Sequence, residues 1–229
     1  MAERAPVSRR ERPAKPALSQ GAIVDAALEL LDAEGLDGVS MRRVAQKLDT
    51  GAASLYVYVR NREELIELLW DRVAGDIVLP APDSGDWRQR LSQLALTSIE
   101  TLSRHRDLAS ASPMITQSPL GPNSLRLSEA MLGLLAEGGL SRRTRVWAGD
   151  LIALYIASTA SEEAVRATAK NPEQDDRTMQ HFRALDPQMY PHLHDVAEEF
   201  TTLGEENREE RRRWMVDTLI SGVLAATGS

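Results

Sequence analysis

The sequence predicts an all-α chain with an N-terminal helix-turn-helix head and a larger helical body. Three observations carry this. Every long segment repeats its apolar residues at helical spacing, and no run alternates apolar with polar residues as a strand would. Small polar residues suited to helix N-caps stand before these segments, among them Ser19, Ser40, Asp86 and Ser141, and Gly35 and Gly138-Gly139 stand after two of them. The stretch Pro80-Ala-Pro-Asp-Ser-Gly85 then breaks the chain into the two parts. The expected division is a disordered basic arm over 1–17, a helix-turn-helix domain over 18–79, and a helical domain over 86–229.

The arm holds Arg4, Arg9, Arg10, Arg12 and Lys15 with three prolines and hardly any bulky apolar residue. Either it reaches into a DNA minor groove beside a reading helix, or it is a solubilising tail without fixed contacts. From Ser19 to Glu34, Ile23, Ala26, Ala27, Leu30 and Leu31 form the buried stripe of a first scaffold helix that ends at Gly35. Met41, Val44, Ala45 and Leu48 recur at i, i+3, i+4 and i+7, giving a two-turn helix with Ser40 as its cap.

Asp49-Thr50-Gly51 is too short to wander. Asp tolerates the left-handed conformation that a tight helix-to-helix turn needs. The next helix is expected over Ala52 to Val59, anchored by Leu55 and Val59, with Ala52, Ala53, Ser54, Tyr56, Val57 and Tyr58 on its other face. Two small residues followed by two outward tyrosines make a poor core helix. They make a good shape for a major groove, which is met by the first turn of such a helix. Arg42, Arg43, Lys47, Arg60 and Arg62 supply cations for phosphates. The competing reading is a surface helical hairpin with solvated arginines.

A second scaffold helix follows Asn61, with Glu63 and Glu64 in its first turn and Leu65, Ile66, Leu68, Leu69 and Val73 behind, running to about Asp76. It joins the head to the body. In the body, helices are expected from Trp87 to about Arg104, from about Asp107 to Ala111, from about Pro122 to Ala136 with Leu125, Met131, Leu132 and Leu135 inward, and from Ser141 to about Thr168. A short helix around Gln174 to Ala184 lies in an otherwise looped stretch, and a last helix covers about Glu205 to Ala226. The wide apolar surfaces of the long helix and the last helix imply a partner, and a two-fold dimer through four helices is expected. A symmetric reader sets its two heads about 34 Å apart, one DNA turn.

The formal net charge is −7, unusual for a DNA binder, but it is unevenly spread. Residues 1–62 hold ten Lys/Arg against eight Asp/Glu, and residues 63–229 hold seventeen against twenty-six, so +2 stands against −9. There is no Cys, and with no apolar leader or long apolar run the chain is expected to be cytoplasmic, with no membrane partner. No HExxH, GxSxG, phosphate-cradling glycine loop or thiol nucleophile is present, so no enzyme and no cofactor are expected. His192, His194 and Asp195 lie in a Pro-bounded segment without further ligands at useful spacing, and no metal is assigned to them.

The runs SMRRVAQKL from Ser40 and SLYVYVRNREEL from Ser54 resemble the DNA-binding domain of the tetracycline-repressor (TetR) family of bacterial transcriptional regulators. A looser resemblance to the C-terminal region of the tetracycline-repressor-like branch rests on Tyr190-Pro191, a few apolar positions and the closing stretch from Trp214 to Gly222.

The resemblance implies a homodimer that binds a palindromic operator in double-stranded DNA and is released by a small molecule in the body, most simply as a repressor. By position it implies Arg42 as a base reader, Ala53 and Val57 against base edges or thymine methyls, and Ser40, Tyr56, Tyr58 and Arg62 on phosphates. Ala52 stands where many members carry a long polar reader, and Tyr58 where many have His. Ser54 completes the face.

His105-Arg106-Asp107 resembles a similar triplet of the tetracycline repressor, but Ser112 stands where that protein has its metal-binding histidine, so magnesium-tetracycline is not implied. Candidates for the ligand pocket are His105, Met114, Met131, Trp147 and Tyr155, since Met and aromatics line adaptable apolar cavities. The alternative class is a helical protein-interaction adaptor without DNA binding, which leaves the Ser40 to Arg62 pattern unexplained.

Overall fold

The computed structural model describes residues 17–105, 107–112, 121–168, 172–203 and 205–225. The arm over 1–16, Arg106 and Met114 fall outside the described residues. Among the described residues all regular structure is helical.

The head is built on α1 (Gln20–Glu34), α2 (Met41–Lys47), α3 (Ala52–Leu55) and α4 (Arg62–Gly75). Ser19 caps α1, its hydroxyl accepting from the Ala22 amide at 3.2 Å, and Gly35 ends the helix at φ +80°. A 3-10 turn over Leu36–Gly38, not expected from the sequence, leads into Ser40, whose hydroxyl accepts from the Arg43 amide at 3.3 Å and caps α2. Such a cap contributes about 1 kcal/mol.

Asp49 takes the left-handed conformation at φ +49° and turns the chain into α3. That helix is shorter than its expected span of Ala52 to Val59. After Leu55 the chain tightens, the Tyr58 and Val59 amides both donating to the Leu55 carbonyl, at 2.9 and 3.0 Å. Two β-branched residues and two aromatics crowd a helical ladder, and the turn relieves that crowding. Leu55 and Val59 still point inward, both fully buried with Ile23, Leu31 and Leu65 in the main core.

The body comprises α5 (Trp87–Ser103), a 3-10 turn (Leu108–Ala111), α6 (Pro122–Glu137), α7 (Arg142–Thr168), α8 (Pro172–Arg183), α9 (Pro191–Asp195) and α10 (Arg208–Ala225). α5 starts from a full capping box between Asp86 and Gln89. α5 packs most extensively on α7, and α4, α5 and α7 all pack on α6. On α6 the phase differs from expectation: Leu125 is 54% exposed, and Leu134 is buried beside Leu135. The region between α7 and α10 is also more ordered than a loop, with α8, α9 and a further 3-10 turn over Glu198–Leu203 held by stacked Phe182 and Phe200 rings 4.5 Å apart. Arg212 on α10 clamps the buried Glu163 of α7 through two hydrogen bonds of 2.9 and 2.7 Å.

α4 and α6 cap each other. The Asp71 carboxylate of α4 accepts from the Ser124 amide in the first turn of α6 at 2.9 Å, and Arg126 of α6 donates to the Ala74 and Ile77 carbonyls at the end of α4, both at 3.0 Å. Each side chain satisfies backbone groups that a helix end leaves unpaired. A Cβ on Gly121 would come within 2.3 Å of Asp71, so this close approach requires glycine.

Candidate nucleic-acid interface and body cavity

The short second helix and the turn after it present their side chains to solvent. Val57 is 80% exposed and Tyr56 53%, and Ala53, Ser54 and Tyr58 are exposed with half-buried Ala52 beside them. An apolar side chain left that open on a well-packed head has no packing role, so the surface is available to a partner. Gln20 of α1 donates to the Tyr58 carbonyl at 3.2 Å, and Leu55 and Val59 root the segment in the core, which fixes the angle at which it is offered.

The five cations expected around this surface divide sharply. Arg43 is paired with Glu34, Lys47 with Glu29 at 2.6 Å, and Arg60 with Glu64 at 3.1 Å. The Arg43 hydrogen bond holds the Glu34 carboxyl below its usual range, and the Arg60 backbone amide does the same for Glu64.

Arg62 is folded back on the head. Its Nε donates to the Val39 carbonyl at 2.8 Å and its Nη2 to the Leu36 carbonyl at 2.7 Å, so it staples the 3-10 turn to α4. Two of its five N–H donors are thus engaged on the head's own backbone. Arg42 is exposed and, among the described residues, its guanidinium has no ion pair or hydrogen bond.

A second feature lies between α4, α5, α6 and α7: a cavity of about 230 Å³. Trp70 and Ala74 of α4 with Ile77 just beyond it form one wall, and Leu127 and Met131 of α6 another. Ala153, Leu154 and Ala157 of α7 line it at helical spacing, with Asp150 one turn earlier on the same stripe. Ser98, Ser112, Ser124 and Ser128 are its polar lining besides Asp150.

Of the pocket candidates, Met131 lines this cavity. Trp147 does not; it is 62% exposed, with the Arg143 guanidinium 4.3 Å from its ring. Tyr155 packs against the main core instead, its buried hydroxyl without a partner among the described residues. His105 stands at the head–body junction, Nδ1 2.9 Å from the Asp32 carboxylate of α1, while Asp107 accepts from the Leu36 amide at 2.8 Å. Aromaticity was a poor guide here. The alanines at i and i+4 on α7, Ala153 and Ala157, are the sequence signal nearest the cavity.

A wider polar groove runs between α5 and α10, lined by Arg88, Glu100, Arg208, Arg212 and Asp217 among others. Among the described residues no group of three or more His, Cys, Asp or Glu is placed to hold a metal ion, and no helix is long and apolar enough to cross a membrane.

Comparison with known proteins fits both features. The family model for bacterial regulatory proteins of the tetR family matches residues 23–69, and that for the tetracyclin repressor-like C-terminal domain matches residues 79–227. A helix-turn-helix-type transcriptional regulator of Saccharopolyspora erythraea is 32% identical over 182 residues, spanning 78% of this chain and 75% of that one. Tetracycline repressor protein class E of Escherichia coli is 31% identical over 156 residues, 67% of this chain and 72% of the repressor.

Among solved structures, apo ActR of Streptomyces coelicolor superposes with a TM-score of 0.79 at 35% identity, covering 92% of this chain and 97% of ActR. ActR in complex with actinorhodin gives 0.81, covering 93% and 99%. The chain belongs to the tetR family of bacterial transcriptional regulators, with a DNA-binding helix-turn-helix head and a tetracycline-repressor-like body.

Proposed function

We propose that the protein is a homodimeric repressor whose two heads hold a palindromic operator and release it when a small molecule fills the body cavity. The observation that carries this reading is the outward surface of Ala52 to Tyr58 with Arg42, the one unpaired cation of the five, beside it. In this reading Arg42 takes base edges, where a good bidentate pair discriminates by about 1–3 kcal/mol. Ala53 and Val57 meet thymine methyls, Ser40, Tyr56 and Tyr58 hold phosphates, and Ala52 and Ser54 fit the groove wall.

The dimer forms through the outer faces of α7 and α10, where Val146, Leu151 and Trp214 are 45–67% exposed. Release follows from α4. Its far end carries Trp70 and Ala74, with Ile77 just beyond, into the cavity wall, and its near end begins just after the reading turn, so a ligand that displaces the wall tilts the head. The solved complex of ActR with actinorhodin supports effector binding in a body of this kind.

Selection of duplexes from a random pool by the purified protein tests the operator, with sedimentation of the resulting complex reading the stoichiometry. The reading expects an inverted repeat bound by two protomers. A monomer in solution, or retention without sequence enrichment, contradicts it.

A further inference from the structure

Two of the four serine hydroxyls lining the cavity have their protons engaged on helix carbonyls. The Ser98 hydroxyl, itself buried, donates its proton to the Leu94 carbonyl at 2.7 Å, and the Ser128 hydroxyl donates to the Ser124 carbonyl at 2.9 Å. Each oxygen keeps lone pairs toward a ligand and has no proton left to offer. Among the described lining residues Asp150 is the one ionisable side chain, and it makes no ion pair or hydrogen bond with any described residue. An anionic ligand would therefore meet a carboxylate and no cation among the described lining residues. A protonated amine would meet an unpaired carboxylate and add an ion pair to the hydrogen bond that an uncharged donor could also make. The remaining lining, Trp70, Leu127, Met131, Leu154 and the two alanines of α7, suits a compact fused-ring body.

We propose that the effector is a lipophilic cation, a flat apolar body bearing a basic amine that pairs with Asp150 and hydroxyl or amine donors that reach Ser98 and Ser128. This rests on the reading of the cavity as the effector site, and the test separates the two.

Titration calorimetry of the full chain is carried out with three matched probes: anthracene-methylamine, anthracene-methanol and anthracene-carboxylate. The amine binds about tenfold tighter than the alcohol, and the carboxylate binds weakest. Asp150→Asn brings the amine down to about the affinity of the alcohol for the same variant, while Asp150→Glu restores the preference. Added salt narrows the gap between amine and alcohol.

A carboxylate that binds tightest, an amine preference that survives Asp150→Asn, or no binding by any probe overturns the cation assignment. Met131→Trp, which fills the cavity from a half-buried position, weakens amine and alcohol together. If it changes neither affinity, the probes sit elsewhere and the cavity reading falls along with the cation assignment.

Discussion

The head and the body solve the same electrostatic problem with opposite signs. Around the reading surface Arg43, Lys47 and Arg60 are each held by a glutamate, and Arg62 is spent on backbone carbonyls, which leaves Arg42 facing solvent alone. In the body, Glu163 is clamped by Arg212, and Asp71 of the head's α4 is spent on α6, while Asp150 stands at the cavity without an ion pair or hydrogen bond to any described residue. Paired charges hold the scaffold and the unpaired one is offered to a ligand. Net charge therefore says little about what binds, since the head's cations are largely neutralised from within.

The contrast between spent and free charges is broken most easily at a spent one. Arg212→Ala leaves the Glu163 carboxylate buried and unpaired between α7 and α10, which costs about 3–5 kcal/mol. Chemical denaturation reads that loss, and a double change to Arg212→Leu with Glu163→Leu recovers most of it.

Arg62→Ala removes two hydrogen bonds from a charged donor to buried backbone carbonyls and lowers stability by about 2–4 kcal/mol. The salt dependence of DNA affinity separates this scaffold role from a phosphate contact: its slope stays as in the wild type, whereas losing a phosphate contact reduces it by about one. Tyr56→Phe weakens operator and random duplex alike, by about threefold to tenfold, as loss of a sequence-blind phosphate hydrogen bond should.

The smallest effect is at Glu34. Its folded carboxyl lies below the ordinary 4.5, so the stabilisation from Arg43 is complete above that value and is lost as pH falls through the lower, folded one. Melting temperatures of wild type and Glu34→Gln should thus differ at neutral pH and converge in acid.

How much of this was legible in the sequence depended on range. The head helices follow from spacing within single segments, and Asp49 marked its own turn because few residues other than Gly, Asn and Asp accept positive φ cheaply. The fate of the arginines was not legible, since their partners Glu29, Glu34 and the Leu36 and Val39 carbonyls come from other elements. The 3-10 turn that supplies the Leu36 carbonyl, with Val39 just after it, has no periodic signature at all.

Leu125 was placed inward because a leucine in a helix is usually buried. Tertiary contacts set the phase of α6 instead, with Asp71 and Arg126 fastening its first turns to α4. The cavity was the least legible part. Its walls are made by alanines, serines and a tryptophan on four helices, and only their convergence in space makes a site. Large aromatics drew attention to Trp147 and Tyr155, which face solvent and core.

The account turns on Arg42 as the free cation of the reading surface, and the ratio of operator to random-duplex affinity for Arg42→Ala measures it most directly. The ratio should fall by at least about tenfold, the equivalent of about 1.4 kcal/mol, with binding to random DNA reduced far less. Equal losses on both duplexes would make Arg42 one more phosphate contact and contradict the assignment.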